Sequence, residues 1–154
     1  MKIVIGSDHA GFELKEELKK FLCNQFDIID VGTNSTESVD YPDFAKKVCE
    51  TILKKDADLG ILICGTGIGM SIVANKYKGI YAALCYDRNT ATLARSHNNA
   101  NVLCIGGRTT KVNDAIEIVS SFLTSSFEGG RHEKRINKIK EIEELNFKED
   151  KNDL

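Results

Sequence analysis

The sequence lacks tryptophan and has one proline among its 154 residues. It also lacks any uninterrupted run of about 18 apolar residues, so we expect no membrane-spanning helix and no membrane partner. The first apolar run ends at Gly6 and does not have the long core and cleavage site of a signal peptide. These features predict a protein of the cytoplasm.

Neither sign of charge is in large excess, because the formal net charge is −2 and the isoelectric point is near 5.9. A chain without a strong positive field is not expected to bind nucleic acid or an anionic surface through overall charge. An anionic ligand would have to be held by local groups.

The cysteines are odd in number, widely spaced and without a C-x-x-C pair: Cys23, Cys49, Cys64, Cys85 and Cys104. With only three histidines beside them, this spacing argues against both a disulfide framework and a zinc site. Four of the five lie in apolar patterns, where a free cysteine is usually a small buried side chain. The sequence therefore indicates a reducing compartment.

Short apolar runs alternate with amphipathic helical patterns five times along the chain. The runs are near residues 3–6, 27–31, 59–64, 80–84 and 102–105. Continuous apolar strands joined by helices are typical of a parallel sheet covered on both faces. We predict a single α/β domain over residues 1–147, a doubly wound, Rossmann- or flavodoxin-like three-layer sandwich with a five-stranded parallel sheet, and a polar tail over 148–154.

An extra C-terminal helix is predicted from about residue 131 to 145. Its apolar residues recur every third position at Ile136, Ile139, Ile142 and Leu145. Such a stripe could cover the sheet of its own chain or pack against another subunit, and the pattern favours neither.

Polar residues follow the predicted strands at their carboxyl ends, where an open parallel sheet binds its ligand. Asp8 and His9 follow the first strand, and Arg108 follows the fifth. The loop Gly65-Thr66-Gly67-Ile68-Gly69 follows the third, and its amides could form an anion cradle at a helix N-terminus. The loop fits neither the dinucleotide fingerprint nor the P-loop, so tight strand-to-helix packing remains an equal alternative.

Cys64 directly precedes this loop, where the start of a helix can favour the thiolate form of a cysteine. A base beside an anion cradle suits removal of a proton next to a carbonyl, because the cradle can stabilise the oxyanion that forms. The alternative is that Cys64 is a core residue at a strand end.

Other candidate residues are weak evidence for a function when each is taken alone. His97 could exchange protons near neutral pH, although a histidine at a helix end is more often a favourable terminal charge. Arg131 and Arg135 share a helix face and could grip phosphate or form a solvated basic turn. His132 receives no role. Asp8 could instead cap the first helix, with His9 solvated.

Six segments occur in the order and spacing of one family: residues 6–12, 40–42, 64–69, 97–98, 106–108 and 128–132. Over about its first 145 residues the chain resembles the ribose-5-phosphate isomerase type B family. The resemblance implies reversible conversion of D-ribose 5-phosphate and D-ribulose 5-phosphate through an enediolate, a step of the pentose phosphate pathway, without metal or organic cofactor.

The resemblance also implies roles for individual residues. Cys64 would move the proton between C1 and C2, the amides of Gly65, Gly67, Ile68 and Gly69 would stabilise the oxyanion, and Thr66 would assist proton movement between oxygens. His97 would open the sugar ring, and Asp8 and Asn98 would position hydroxyls. The phosphate would be held by His9, Arg131 and Arg135 with help from Arg108, and Tyr41 would line the pocket.

The family resemblance implies a homodimer or homotetramer with active sites at the interface, so that His97, Asn98 and Arg108 could serve the partner's cysteine. Related enzymes act on allose 6-phosphate or galactose 6-phosphate, which leaves a six-carbon substrate as an alternative. A non-enzymatic nucleotide- or phosphate-binding module on a flavodoxin-like sheet is the alternative from another functional class.

Overall fold

The computed structural model of the chain describes residues 1–147, and the predicted polar tail over 148–154 lies outside them. The elements in chain order are β1 (Lys2–Ser7), α1 (Phe12–Leu22), β2 (Asp27–Asp30), α2 (Tyr41–Leu53), β3 (Leu59–Cys64), α3 (Ile68–Ala74), β4 (Ala82–Leu84), α4 (Arg88–Ser96), β5 (Val102–Gly106), α5 (Val112–Thr124) and α6 (Arg131–Asn146).

The strands form one parallel sheet in the order β2-β1-β3-β5-β4, which confirms the predicted doubly wound α/β fold. The last two strands are inverted relative to their chain order, since β5 inserts between β3 and β4. The fourth strand is shorter than predicted and begins at Ala82. Ile80 is buried before it in a turn, where its N–H donates to the Tyr77 carbonyl at 3.1 Å.

Two apolar layers cover the sheet, as the period of two along each strand requires. Ile3 and Ile5 of β1 face the layer that contains α1, α4 and α5. Val4 faces the opposite layer with α2 and α3. Strands with both faces buried explain why the sequence shows continuous apolar runs rather than alternation.

The order in which strands are added to the sheet changes direction at β1, because β2 lies on one side of it and β3 on the other. The helices that follow two such neighbouring strands, here β1 and β3, lie on opposite faces of the sheet. A crevice is left between them at the carboxyl ends of the strands. The residues after β1 and at the end of β3 therefore lie beside the crevice.

The apolar stripe of α6 is only partly buried within the chain. Ile136 is buried, whereas Ile139, Ile142 and Leu145 are 39%, 60% and 69% exposed. Polar contacts attach the helix, since Glu143 accepts hydrogen bonds from the Tyr81 hydroxyl at 2.9 Å and from the Gly79 N–H at 3.2 Å. Within the chain, the stripe is therefore buried at its first position and exposed at the other three. Within the described residues, no helix is both long and apolar enough to cross a membrane.

A charge network around the buried Lys15 ties α1 to the end of β2. The fully buried ammonium of Lys15 lies 2.6 Å from an Asp30 oxygen, and that of Lys19 lies 2.7 Å from the same oxygen. The other Asp30 oxygen accepts the Gly32 N–H at 2.8 Å. Burial alone would raise the pKa of Asp30, but the lysine and amide donors outweigh it and hold that pKa below its usual value.

Replacing Asp30 by asparagine is expected to lower the free energy of unfolding by about 3 kcal/mol, because a buried lysine loses its main partner. A depressed carboxyl pKa contributes stability above the unfolded-state pKa, and this contribution disappears as pH falls through the folded-state value. Urea unfolding of both proteins at pH 7 and pH 3 should therefore show a difference that shrinks in acid.

Glu17→Gln is the matched control, since Glu17 pairs with Lys20 on the exposed face of the same helix. A surface pair contributes little, so this variant should unfold like the wild type. Equal losses in the two variants would contradict the role assigned to the network around Lys15.

Candidate active site

Cys64 is the last residue of β3 and is 4% exposed. Its sulfur accepts the backbone N–H of Gly67 at 3.2 Å. Gly67 has φ of +81°, a conformation that favours glycine, and an added Cβ would lie 2.6 Å from Leu84 Cδ1. A glycine at position 67 is thus required for the turn that brings an amide to the sulfur.

The rest of the loop forms its own local contacts. The exposed Thr66 accepts the Ile68 N–H on Oγ1 at 3.2 Å. The ring of Tyr41 packs on Gly69, where a Cβ would lie 2.6 Å from the ring carbon Cζ. The amides of Gly67 and Ile68 are therefore engaged within the loop, and the aromatic ring borders its far end.

The end of β5 supports the cysteine loop from the other side. The Gly107 N–H donates to the Cys64 carbonyl at 2.7 Å, and the Arg108 N–H donates to the Gly65 carbonyl at 3.0 Å. The Arg108 side chain follows the loop, with Nη1 3.6 Å from the position of a Cβ on Gly65. Arg108 thus lies beside the cysteine of its own chain, which differs from the expectation that it serves a partner.

Asp8 lies in the crevice as a buried carboxylate. Its Oδ1 accepts the N–H groups of Ala10 and Gly11 at 3.0 and 3.1 Å. The structural alternative, a cap on α1, is wrong in detail, because the N-cap residue of α1 is Gly11 and Asp8 accepts the amides of Ala10 and Gly11, which precede the helix. Asp8 instead fixes the turn that carries His9, whose Nδ1 accepts the Val39 N–H at 3.1 Å.

The other buried thiols do not compete with Cys64 as bases. Burial raises the pKa of Cys49 to about 12 and that of Cys85 to about 11. Burial also raises the pKa of Cys104 well above its usual value. Since only the thiolate can accept a proton from carbon, these three side chains remain inert packing groups.

His97 lies at the opposite end of the sheet from Cys64. It follows α4, which runs back from the end of β4, and it precedes the start of β5 at Val102 by five residues. The register places Cys64 beside Gly106 at the other end of β5. Five strand residues span about 16 Å, so His97 and its neighbour Asn98 cannot reach the sulfur within one chain.

The start of α6 lies against His97. The rings of His97 and His132 stack with centroids 4.0 Å apart and planes 16° from parallel. Oε2 of Glu128 lies 3.8 Å from His97 Nε2 and 3.6 Å from His132 Nε2. Arg131 and Arg135 are exposed on the same helix. The sequence prediction gave His132 no role, and the structure shows that its ring packs on His97, four residues after Glu128.

Burial, followed by the nearby His97 and Arg131, lowers the pKa of His132. The lowered pKa favours the neutral form of the ring, which lies flat against that of His97. His97, Glu128 and His132 are also the one group within residues 1–147 whose side chains could hold a metal ion. Stacked rings direct their lone pairs side by side rather than at one point, so this geometry does not match a metal site without rotation of a ring.

The candidate residues thus form two groups. The cysteine half-site contains Asp8, His9, Tyr41, Cys64, the loop 65–69 and Arg108. The histidine half-site contains His97, Asn98, Arg131 and Arg135. The two groups lie at opposite ends of one sheet, because α4 carries His97 to the amino ends of the strands before the chain enters β5.

Comparison with known proteins is consistent with this architecture. Residues 3–139 match the family model for Ribose/Galactose Isomerase. Ribose-5-phosphate isomerase B of Escherichia coli is 44% identical over 144 residues, which cover 93% of this chain and 97% of the relative.

Solved structures show the same relationship. Ribose-5-phosphate isomerase B of Clostridium thermocellum superposes with a TM-score of 0.93 at 49% identity, covering 95% of this chain and 99% of the other. The Mycoplasma genitalium enzyme, solved with bound ribulose-5-phosphate, gives a TM-score of 0.87 at 48% identity, with 93% and 96% covered. Fold, length and sequence agree over nearly the whole chain, and this protein belongs to the ribose/galactose isomerase family.

Proposed function

We propose that this protein is a ribose-5-phosphate isomerase, which interconverts D-ribose 5-phosphate and D-ribulose 5-phosphate through an enediolate. The observation that carries the proposal is the Cys64 sulfur held by the Gly67 amide at the end of β3. Relatives named ribose-5-phosphate isomerase B, and a structural neighbour that binds ribulose-5-phosphate, favour this substrate over a six-carbon sugar phosphate.

In the proposed mechanism, the Cys64 thiolate removes the proton from C2 of the open-chain aldose. Electrons move into the C1 carbonyl and leave negative charge on its oxygen, which the amides of Gly65 and Gly69 stabilise, since those of Gly67 and Ile68 are engaged within the loop. Thr66, exposed at the turn, moves a proton between the two substrate oxygens. Cys64 then returns its proton to C1, so that the ketose forms without net gain or loss of atoms.

The remaining residues bind and prepare the sugar phosphate. We assign Asp8 and Asn98 to the hydroxyl groups and Tyr41 to the pocket wall. His97 would open the furanose ring as a proton donor and acceptor. Arg131 and Arg135 would grip the phosphate, assisted by His9 and Arg108.

This assignment requires a second copy of the chain, since the two half-sites lie at opposite ends of one sheet. A two-fold axis would bring the histidine half-site of each protomer to the cysteine half-site of the other. Exposed apolar residues adjoin both groups: Ile68, Leu84 and Tyr86 near the cysteine, and Ile139 and Ile142 on the helix of Arg131. We therefore propose a homodimer, or a tetramer built from such dimers, with shared active sites.

We also propose a cytoplasmic location, because a catalytic thiol must stay reduced and the chain carries four further free cysteines.

Substrate and reaction are tested together in heavy water. Ribose 5-phosphate incubated with the enzyme should gain deuterium at C2, because the cysteine exchanges its proton with solvent between transfers. A binding module cannot catalyse this exchange, so unlabelled sugar would contradict an isomerase.

A panel of sugar phosphates then tests chain length. We expect kcat/KM for ribose 5-phosphate to exceed that for allose 6-phosphate and galactose 6-phosphate by about tenfold or more, the size of discrimination that one extra carbon allows. The reverse order would assign the enzyme to a six-carbon substrate.

A further inference from the structure

The segment 31–40, which joins β2 to α2, is anchored near both ends. At its start, the Ser7 N–H donates to the Gly32 carbonyl at 2.6 Å, and the Thr33 N–H donates to the Ser7 carbonyl at 2.7 Å. Directly after its end, the ring of Tyr41 packs on Gly69. Segment 31–40 is therefore connected both to the carboxyl end of β1 and to the cysteine loop.

Between these anchors the segment contacts His9 through its main chain. The Val39 N–H donates to Nδ1 of His9 at 3.1 Å. A ring nitrogen that accepts an N–H carries no proton, so this contact requires the tautomer of His9 that has its proton on Nε2. A flipped ring would set a carbon-bound hydrogen against the amide hydrogen, which excludes the opposite orientation.

The turn that holds His9 is fixed independently. The Asp8 carboxylate accepts the Ala10 and Gly11 amides, and the Asp8 N–H donates to the Ile63 carbonyl at 3.2 Å. Ala10 adjoins the cysteine loop, with its Cβ 3.9 Å from the position of a Cβ on Gly65. His9 therefore stands beside the proposed substrate site with a constrained backbone.

We infer that the backbone amide of Val39 is a positioning group that locks His9 in the Nε2-protonated tautomer, so that the ring presents one N–H donor to an oxygen of the sugar phosphate. The inference rests on the proposed function for the identity of the ligand. In this inference, segment 31–40 positions His9 through its main chain and not through a side chain.

Two-bond proton–nitrogen correlation spectra of histidine-labelled protein at pH 7.5 test the tautomer without substrate. We expect His9 to show an unprotonated Nδ1 and a protonated Nε2. A protonated Nδ1 in the wild type would overturn the inference. Because this measurement uses the free protein, its failure is distinguishable from failure of the isomerase assignment.

Val39→Pro removes the amide hydrogen, and Val39→Ala, which retains it, is the matched control. The proline variant should show a mixture of tautomers at His9 and about a fivefold rise in KM, the effect of one weakened hydrogen bond, with kcat changed by less than about twofold. The alanine variant should match the wild type in both readouts. An unaltered His9 tautomer in a folded proline variant would refute the role of Val39.

Discussion

Replacing Cys64 by alanine is expected to lower kcat for ribose 5-phosphate by about a hundredfold or more, the usual contribution of a positioned acid–base group. The loss should fall on kcat rather than on KM, because the thiol acts on the C–H bonds of the substrate and does not hold the phosphate. A coupled assay of ribulose 5-phosphate formation measures both constants. Near-normal turnover would remove Cys64 from the mechanism.

Two further variants separate chemistry from folding. Cys64→Ser retains an acceptor for the Gly67 amide and should keep the native circular dichroism spectrum, yet it should be nearly as inactive because a hydroxyl is a far poorer base than a thiolate. Cys23→Ser removes the exposed thiol of α1's C-terminal end. This control should retain wild-type activity.

Subunits that are separately inactive are expected to restore activity when combined. Cys64→Ala and His97→Asn disable different half-sites, so a heterodimer of the two contains one site with both lesions and one site with none. Random pairing makes half of the dimers mixed, and the expected recovery is about a quarter of wild-type activity. Co-expression with two different affinity tags allows the mixed dimer to be isolated and assayed.

Arg108→Ala provides the matched control for this experiment. Arg108 lies along Gly65 in the same chain as Cys64, so combining Arg108→Ala with Cys64→Ala damages the cysteine half of both sites. This pair should show no recovery. Recovery with Arg108→Ala, or none with His97→Asn, would contradict the division into half-sites.

The fold class was predictable because the central strands β1, β3 and β5 have both faces buried and therefore appear in the sequence as continuous apolar runs. The element bounds followed closely, and Asp27–Asp30 and Leu59–Cys64 lie within the expected strands. The inversion of β4 and β5 was not predictable. Apolar runs give the number of strands and their type, whereas their order depends on which edges the crossovers reach.

For the candidate site, the tight turn after β3 was predictable from the sequence, whereas the arrangement of the candidate residues in space was predictable only in part. Glycines after a strand end correctly indicated a tight turn, and Gly67 is the position where a positive φ demands one. Sequence spacing could not show that His97 lies at the far end of the sheet, since this depends on the direction of α4. The stack of His97 on His132 joins two helices and leaves no local pattern except Glu128 four residues before His132.

The place of β5 in the sheet has a consequence for synthesis of the chain. Within residues 1–147, β4 pairs with β5 alone, and β3 keeps an open edge until β5 has been synthesised. A chain that has emerged only as far as β4 therefore exposes the hydrogen-bonding groups of its most buried strand, an edge that invites pairing with other chains. The Cys64 and Gly65 carbonyls also accept hydrogen bonds from the N–H groups of residues 107 and 108. The cysteine loop of the nascent polypeptide therefore reaches its final geometry only after β5 has been synthesised.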